Sequence, residues 1–361
     1  MGSENQLPVG LNLTPLDTLF FRDGRPFEAA TQATSGMPQP QTVAGALRTW
    51  LLRKAGCDFE KLAEAMASGK SFAEAVGENQ PDQAVAVGQV RFRGPWFAIG
   101  GEPVVDVPCI LQKLEETGDI VRLAPLEKVS LPGWAPAVEG MLPLWTSEAR
   151  RAKRLRGYLR LAGLRAFLNG GIPDQKEKLE AGDLFEEDRR TGIKVNPGSL
   201  TADEGMIYAI SLLALKPGVS LYAEAFGPPQ AIDLLPAEPA ALPLGGEGRY
   251  VTLQRTRVVD WPPVPPQGNQ GRLLVLTAPA FLADGWRPAN LQLVSAAVPG
   301  HVAVSGWDLA RKGPKPNRFA VAAGSVYFIN QVLEPLPDSL CEAEDAALGW
   351  GTLVEGVWNH V

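Results

Sequence analysis

TPLDTLFFRDGRPF, residues 14–27, decides how the rest of the chain is read. With Leu11 and Leu13 ahead of it, the segment starts with the alternation of a half-buried strand. It thickens into the apolar block Leu19-Phe20-Phe21 and stops at Gly24 and Pro26. Arg22 and Arg25 sit on that stop. A loop through Gly36, Pro38 and Pro40 then leads to Gln41-Thr42, which opens a predicted helix, TVAGALRTWLLRKAG. Thr42 is the expected N-cap, Val43, Ala46, Leu47, Trp50 and Leu51 the apolar stripe, and Gly56 the stop. Arginines on a tight turn beside a helix start are suited to an anion. Guanidinium forks match phosphate geometry, and a helix N-terminus offers free N–H groups and partial positive charge. Arg48 follows on the same helix. Gly45, in the first turn, costs about 1 kcal/mol relative to alanine, a cost that close approach of a ligand would explain. The plainer alternative is a solvated turn in which Asp23 pairs weakly with the arginines.

Composition narrows the choices. The chain has 361 residues and 45% apolar content, enough for two domains with separate cores. Its formal charge of -6 rules out a generally basic surface, so any anion site must come from local clusters. No apolar run reaches the roughly 18–20 residues of a membrane span. The start, MGSENQLPVG, lacks the basic and apolar regions of a secretory signal. Cys57, Cys109 and Cys341 are widely spaced and odd in number, which argues against a disulfide framework and a zinc site and fits a reducing cytoplasm. His301 and His360 are the only histidines, so a His-based metal cluster and two-histidine acid–base catalysis are both disfavoured. No cofactor, metal or small-molecule substrate is expected.

Along the chain, residues 59–76 read as a further helix, and 88–111 as a hairpin. EARRAKRLRGYLRLAGLRAFLNGG, 148–171, reads as one amphipathic helix. Ala152, Leu155, Leu159, Ala162 and Ala166 share a face, with Lys153, Arg156 and Arg160 opposite. Seven basic side chains there, Arg150 and Arg154 among them, meet Glu148 alone, which suits a polyanion or an acidic protein surface as well as a solvated face. MIYAISLLAL and VSLYAEAF are predicted strands parted by Lys216-Pro217-Gly218. Further strands are expected in YVTLQRTRVV, GRLLVLTAPAFL, LQLVSAAVPGHVAVSGW, RFAVAAGSVYFI and LGWGTLVEGVW. This order predicts an α+β fold of antiparallel sheets with helices on one face, and a βαββαβ plan for the first half.

Several other segments carry charge. EEDRRTGIKV places Arg189, Arg190 and Lys194 around Gly192 after three acidic residues. PLGGEGR, ending in Arg249, lacks the Lys-Ser/Thr of a P-loop and opens no helix, which argues against nucleotide hydrolysis. KGPKPNRF, with Lys312, Lys315 and Arg318, precedes a strand containing Tyr327 and Phe328, and basic loops beside aromatic strands can form RNA surfaces.

Taken together, TPLDTLFFRDGRPF, PQPQTVAGALR, RRTGIKVNPGSLTADEGMIY, LGGEGR and AAGSVYF resemble the pattern of the RAMP superfamily of CRISPR proteins. Within it, the sequence is similar to the Cmr-module subunits that hold the 5′ end of the guide RNA in type III-B effector complexes. The resemblance spans residues 11 to about 356. It implies two ferredoxin-like (RRM-like) domains with loop-rich insertions, which the turn at FGPPQ divides at 1–230 and 231–361. It also implies a non-catalytic role: binding the crRNA 5′ tag and joining the large palm-domain subunit to the first backbone RAMP subunit. The matching positions are 22–27, Gly36 to Arg48, Arg190 to Thr201, and Gly245, Gly246 and Arg249. Arg22, Arg25, Gly36, Gln41, Thr42, Arg48, Arg150, Arg154, Arg190, Lys194, Arg249 and Arg318 are therefore the candidate RNA-binding residues, and Arg22, Arg25, Thr42 and Arg48 are expected to line one cleft. Three alternatives stand beside this reading: the equivalent type III-A subunit, a metal-independent endoribonuclease using His301, and a scaffold whose basic segment docks on an acidic protein.

Overall fold

Alternation at the start of the chain does form a strand, and it lies inside the largest sheet. The computed structural model describes residues 7–21, 32–127, 133–136, 138–195, 198, 202–266, 270–289, 291–308, 313–330, 335 and 337–360. Leu7–Pro15 buries Val9, Leu11 and Leu13, while Asn12 and Thr14 face the other way. It pairs antiparallel with Val219–Gly227 on one side and Tyr250–Thr256 on the other, so that Leu13 lies between Leu221 and Leu253. Ala240–Pro243 closes the edge beyond Tyr250–Thr256. The helix Pro40–Lys54 buries Pro40, Val43, Ala44, Leu47, Leu51 and Leu52 and packs beside Ala240–Pro243. A long hairpin, Phe185–Val195 with Ala202–Leu215, takes a third, parallel strand, Gln32–Thr34.

A second sheet runs Leu293–Ala297, Val326–Ile329, Gly271–Leu276, Leu353–Trp358, all antiparallel. Gly271–Leu276, Val326–Ile329 and Leu353–Trp358 are almost wholly buried because both faces are covered, and Arg272 and Glu355 are their charged exceptions. Leu274, Leu276, Tyr327, Ile329 and Leu353 pack with Ala280, Leu291 and Val321 on one side. On the other, the helix Leu161–Leu168 lies so close that a Cβ at Gly356 would sit 2.8 Å from the Leu168 carbonyl oxygen. Arg122 secures that helix's C-terminal end, donating to the carbonyls of Phe167 at 2.8 Å and Val357 at 2.9 Å. Burial lowers the Arg122 pKa to about 10.

The chain forms two compact units, Met1–Pro95 with Leu184–Val258 and Ala303–Arg318, and Trp96–Asp183 with Val259–Val302 and Phe319–Val361. The expected boundary near residue 230 falls inside the Leu184–Val258 segment of the first unit. The α+β class with antiparallel sheets and few helices is the observed one.

Three expected elements differ. The basic segment 148–171 is not one helix. Ala152–Arg154 is a strand against Leu111–Leu114, Tyr158–Arg160 is a strand against Glu102–Asp106, and only Leu161–Leu168 is helical. Gly157 breaks the run: its φ is +111°, and a Cβ there would lie 2.1 Å from the Leu179 carbonyl oxygen. Lys153 pairs instead across strands with Glu115 at 2.7 Å. Likewise, 59–76 divides into Phe59–Ala67 and Phe72–Gly77, because the Ser71–Glu74 capping box starts a new helix after Gly69. Thr42 is not the N-cap. Proline suits the first helical position, so the helix begins at Pro40, and the amides of Thr42 and Val43 both reach the Gln39 carbonyl.

Candidate nucleic-acid interface

Residues 17–21 follow the first strand and gather the separate motifs around them. Leu19 exchanges backbone hydrogen bonds with Leu213, N–H to O at 2.8 and 2.9 Å. The Phe21 amide donates to Ser35 Oγ at 2.9 Å, and the Gly36 amide returns to the Phe21 carbonyl at 2.7 Å. From the opposite direction the glycine turn 245–248 arrives, its Gly246 amide donating to the Phe20 carbonyl at 2.8 Å. Gly245, at φ +82°, permits that approach, since a Cβ would lie 2.4 Å from the same oxygen. Local pairing then fixes Arg190, whose strand partner Ile210 is also the partner of Ala33.

This arrangement sets two guanidinium groups on one carboxylate. Arg249 Nη1 lies 2.8 Å from Asp17 Oδ2, and Arg190 Nη2 lies 3.7 Å from Asp17 Oδ1. Arg190 also holds Asp188 at 2.7 Å. The Thr18 amide and then the two arginines keep the Asp17 carboxyl below its ordinary pKa, while Asp188 raises that of Arg190. Asp17 lies within the opening motif, but its partners are more than 170 residues away, so nothing local identified it.

The other candidates are placed as follows. Gln41 donates from Nε2 to the Ser305 carbonyl at 2.9 Å. It thereby ties the helix start to the basic segment 303–318, in which Lys315 and Arg318 are exposed. Thr42 is half-buried within the first helical turn. Arg48 is half-buried on the same helix. Its guanidinium stacks over Phe72 at 4.4 Å and faces Phe92 at 5.9 Å, and burial lowers its pKa to about 10. Arg22, Arg25 and the Lys194 side chain lie outside the described residues. Gly36, Arg190 and Arg249 are thus the candidates that the fold brings together.

Gly45 is not crowded by the protein: a Cβ there would meet nothing within 4 Å. Gly45→Ala is therefore expected to stabilise the helix by about 0.5–1 kcal/mol in thermal or urea unfolding.

Arg150 and Arg154 belong to the second unit. Arg150 forms a fork with Glu148, Nε to Oε1 at 2.9 Å. Arg154 is exposed and acts on Asp106, whose carboxyl burial pushes up to about 6 against the pull of Arg154. The sign follows from linkage. A carboxyl with a raised folded pKa costs nothing below its unfolded pKa, and the cost grows as pH rises to the folded value, then levels off. Asp106→Asn should accordingly stabilise the chain by about 1–2 kcal/mol at pH 7.5, allowing for partial exposure, and by almost nothing at pH 3.5. Urea unfolding at the two pH values measures the difference.

His301 packs edge-on against the exposed Phe319 ring at 5.3 Å. His360 places Nδ1 3.2 Å from the Pro125 carbonyl oxygen and packs on Trp358. Among the described residues no cluster of three or more His, Cys, Asp or Glu side chains could hold a metal ion, and no helix is long and apolar enough to cross a membrane.

Antiparallel sheets with few helices make this an α+β protein, consistent with a RAMP-like fold. The family model described as CRISPR-associated protein (Cas_Cmr3) matches residues 11–358, and the chain belongs to that family. It is a type III CRISPR effector subunit of the Cmr kind. A chain in the cryo-EM structure of the type III-B Cmr-beta complex bound to cognate target RNA aligns with a TM-score of 0.54, 16% identity and 96% coverage of both chains. One in the same complex with cognate target RNA and AMPPnP aligns at 0.53, with 17% identity and 96% coverage of both. These likenesses concern the fold. No curated protein sequence matches the chain.

Proposed function

We propose that this chain is a non-catalytic subunit of a type III-B CRISPR effector, that it holds the 5′ tag of the crRNA, and that it bridges the large palm-domain subunit to the first backbone RAMP subunit. The same reading takes the chain as two ferredoxin-like domains. One observation carries it: Arg190 and Arg249, from two distant motifs, converge beside residues 17–21, where Gly36 also docks. Paired guanidinium groups, one on a strand and one after a glycine turn anchored by backbone hydrogen bonds, suit the ribose-phosphate chain of single-stranded RNA. Proximity of the uncrowded Gly45 to the helix start adds room for a backbone to approach. An overall negative charge fits a molecule that confines RNA to one place and offers the rest of its surface to protein partners.

The experiment is twofold. Within the assembled complex, crosslinks from guide RNA to this chain should fall in segments 17–36, 185–195 and 245–249, and the linked nucleotides should be those of the 5′ tag. With the purified chain, Arg190→Ala with Arg249→Ala should weaken tag-RNA binding and flatten its log–log salt dependence by about 0.7 per lost phosphate contact. Crosslinks confined to other segments, or an unchanged slope, would remove the support for this reading. Incubation with repeat RNA without metal tests the non-catalytic part: cleavage lost on His301→Ala would establish an endoribonuclease instead.

A further inference from the structure

Asp17 is a charge that an RNA-binding face would do better without. It has the wrong sign, it is 58% exposed, and it stands between the two arginines proposed to meet phosphate. Asp188 supplies a second negative charge to Arg190, so the four side chains cancel to zero. A carboxylate and a phosphodiester present the same two-oxygen fork to a guanidinium. A carboxylate bridging Arg190 and Arg249, one oxygen toward each, therefore occupies the place of a bridging phosphate. Asp17 and Arg190 are the exposed members, at 58% and 45%, against 18% for Arg249, and an exposed carboxylate at 3.7 Å from its partner exchanges readily with solvent. Arg249 is held in place by the 245–248 turn, so its guanidinium stays where it is when the exposed Asp17 carboxylate leaves it.

Resting on the RNA role given above, we propose that Arg190 and Arg249 form a subsite for one backbone phosphate of single-stranded RNA, and that Asp17 fills this subsite as an internal competitor until RNA displaces it. The device favours RNA that makes additional contacts elsewhere on the chain. A stray polyanion has only charge to offer, and here the net charge is zero. RNA held also at neighbouring segments can displace Asp17 and then gains both arginines. Discrimination thus comes from a repulsive element built into the attractive site.

The test uses the full chain and two labelled single-stranded RNAs of equal length, one with the repeat-derived tag and one unrelated. Asp17→Asn keeps the shape and removes the charge. Binding of both RNAs should tighten at low salt, about fivefold, and for the unrelated RNA the salt dependence should steepen by about 0.7, because it gains a phosphate contact that Asp17 denied it. The unrelated RNA should gain at least as much as the tag. In an Arg249→Gln background, Asp17→Asn should gain less than about twofold, because the subsite has lost one of its two arms. If Asp17→Asn changes neither affinity nor slope while Arg249→Gln weakens binding, the competitor is overturned and the RNA face stands. If neither substitution changes binding, both fall together.

Discussion

Glu355→Ala is expected to destabilise the second unit by about 3–5 kcal/mol, the cost of leaving a buried charge without its partner. Glu355 and Arg272 are 5% and 6% exposed, on adjacent strands, with Oε1 3.1 Å from Nε. Arg272 also donates to the Pro265 carbonyl at 2.8 Å, a second contact that holds it inside the fold. Removing the carboxylate strands a guanidinium inside the sheet. Arg272→Met combined with Glu355→Leu should recover most of the loss, because two apolar side chains carry no desolvation cost. Urea unfolding gives the magnitude, and hydrogen exchange at Gly271–Leu276 and Leu353–Trp358 gives the location. An unchanged midpoint for the single variant would mean that water already solvates the pair.

The second large effect is at Gly245. Alanine there combines two penalties. The left-handed backbone at φ +82° costs about 1–2 kcal/mol for a residue with a Cβ. The Cβ would also lie 2.4 Å from the Phe20 carbonyl oxygen, so the 245–248 turn must move away and give up the Gly246 hydrogen bond. Arg249 would move with it and lose its place on Asp17. Gly245→Ala should therefore cost about 2–4 kcal/mol in stability. Under the proposed function it should also weaken tag-RNA binding about tenfold, roughly the loss of one charge-assisted contact. Gly45→Ala is the natural comparison, since a Cβ there meets nothing and its expected effect on stability has the opposite sign.

Much of the fold was legible because it is written in local terms. Alternating leucines, the turn at Lys216-Pro217-Gly218 and the double-sided apolar runs near the C-terminus each declare a strand within ten residues. The errors came from segments where local pattern and tertiary pairing disagree. Residues 148–160 carry helical periodicity, yet Leu111–Leu114 and Glu102–Asp106 take them as strands, and Gly157 interrupts any helix that would compete. The contacts of Arg48 with Phe72 and Phe92 were not legible either, because its neighbours in sequence say nothing about residues 24 and 44 positions further on.

The same division holds for the site. Sequence alone determined the α+β class, the glycine turn before Arg249 and the family pattern, because strand alternation, turn chemistry and motif spacing all act over a few residues. Only the tertiary structure decided which charges meet. Asp17, Arg190 and Arg249 lie far apart along the chain, and backbone hydrogen bonds from Leu213 and Gly246 to residues 19 and 20 bring them together. Coulomb interactions are short-ranged in salt water, so a charge acquires its role from what lies within a few ångströms of it, and that distance is set by the fold.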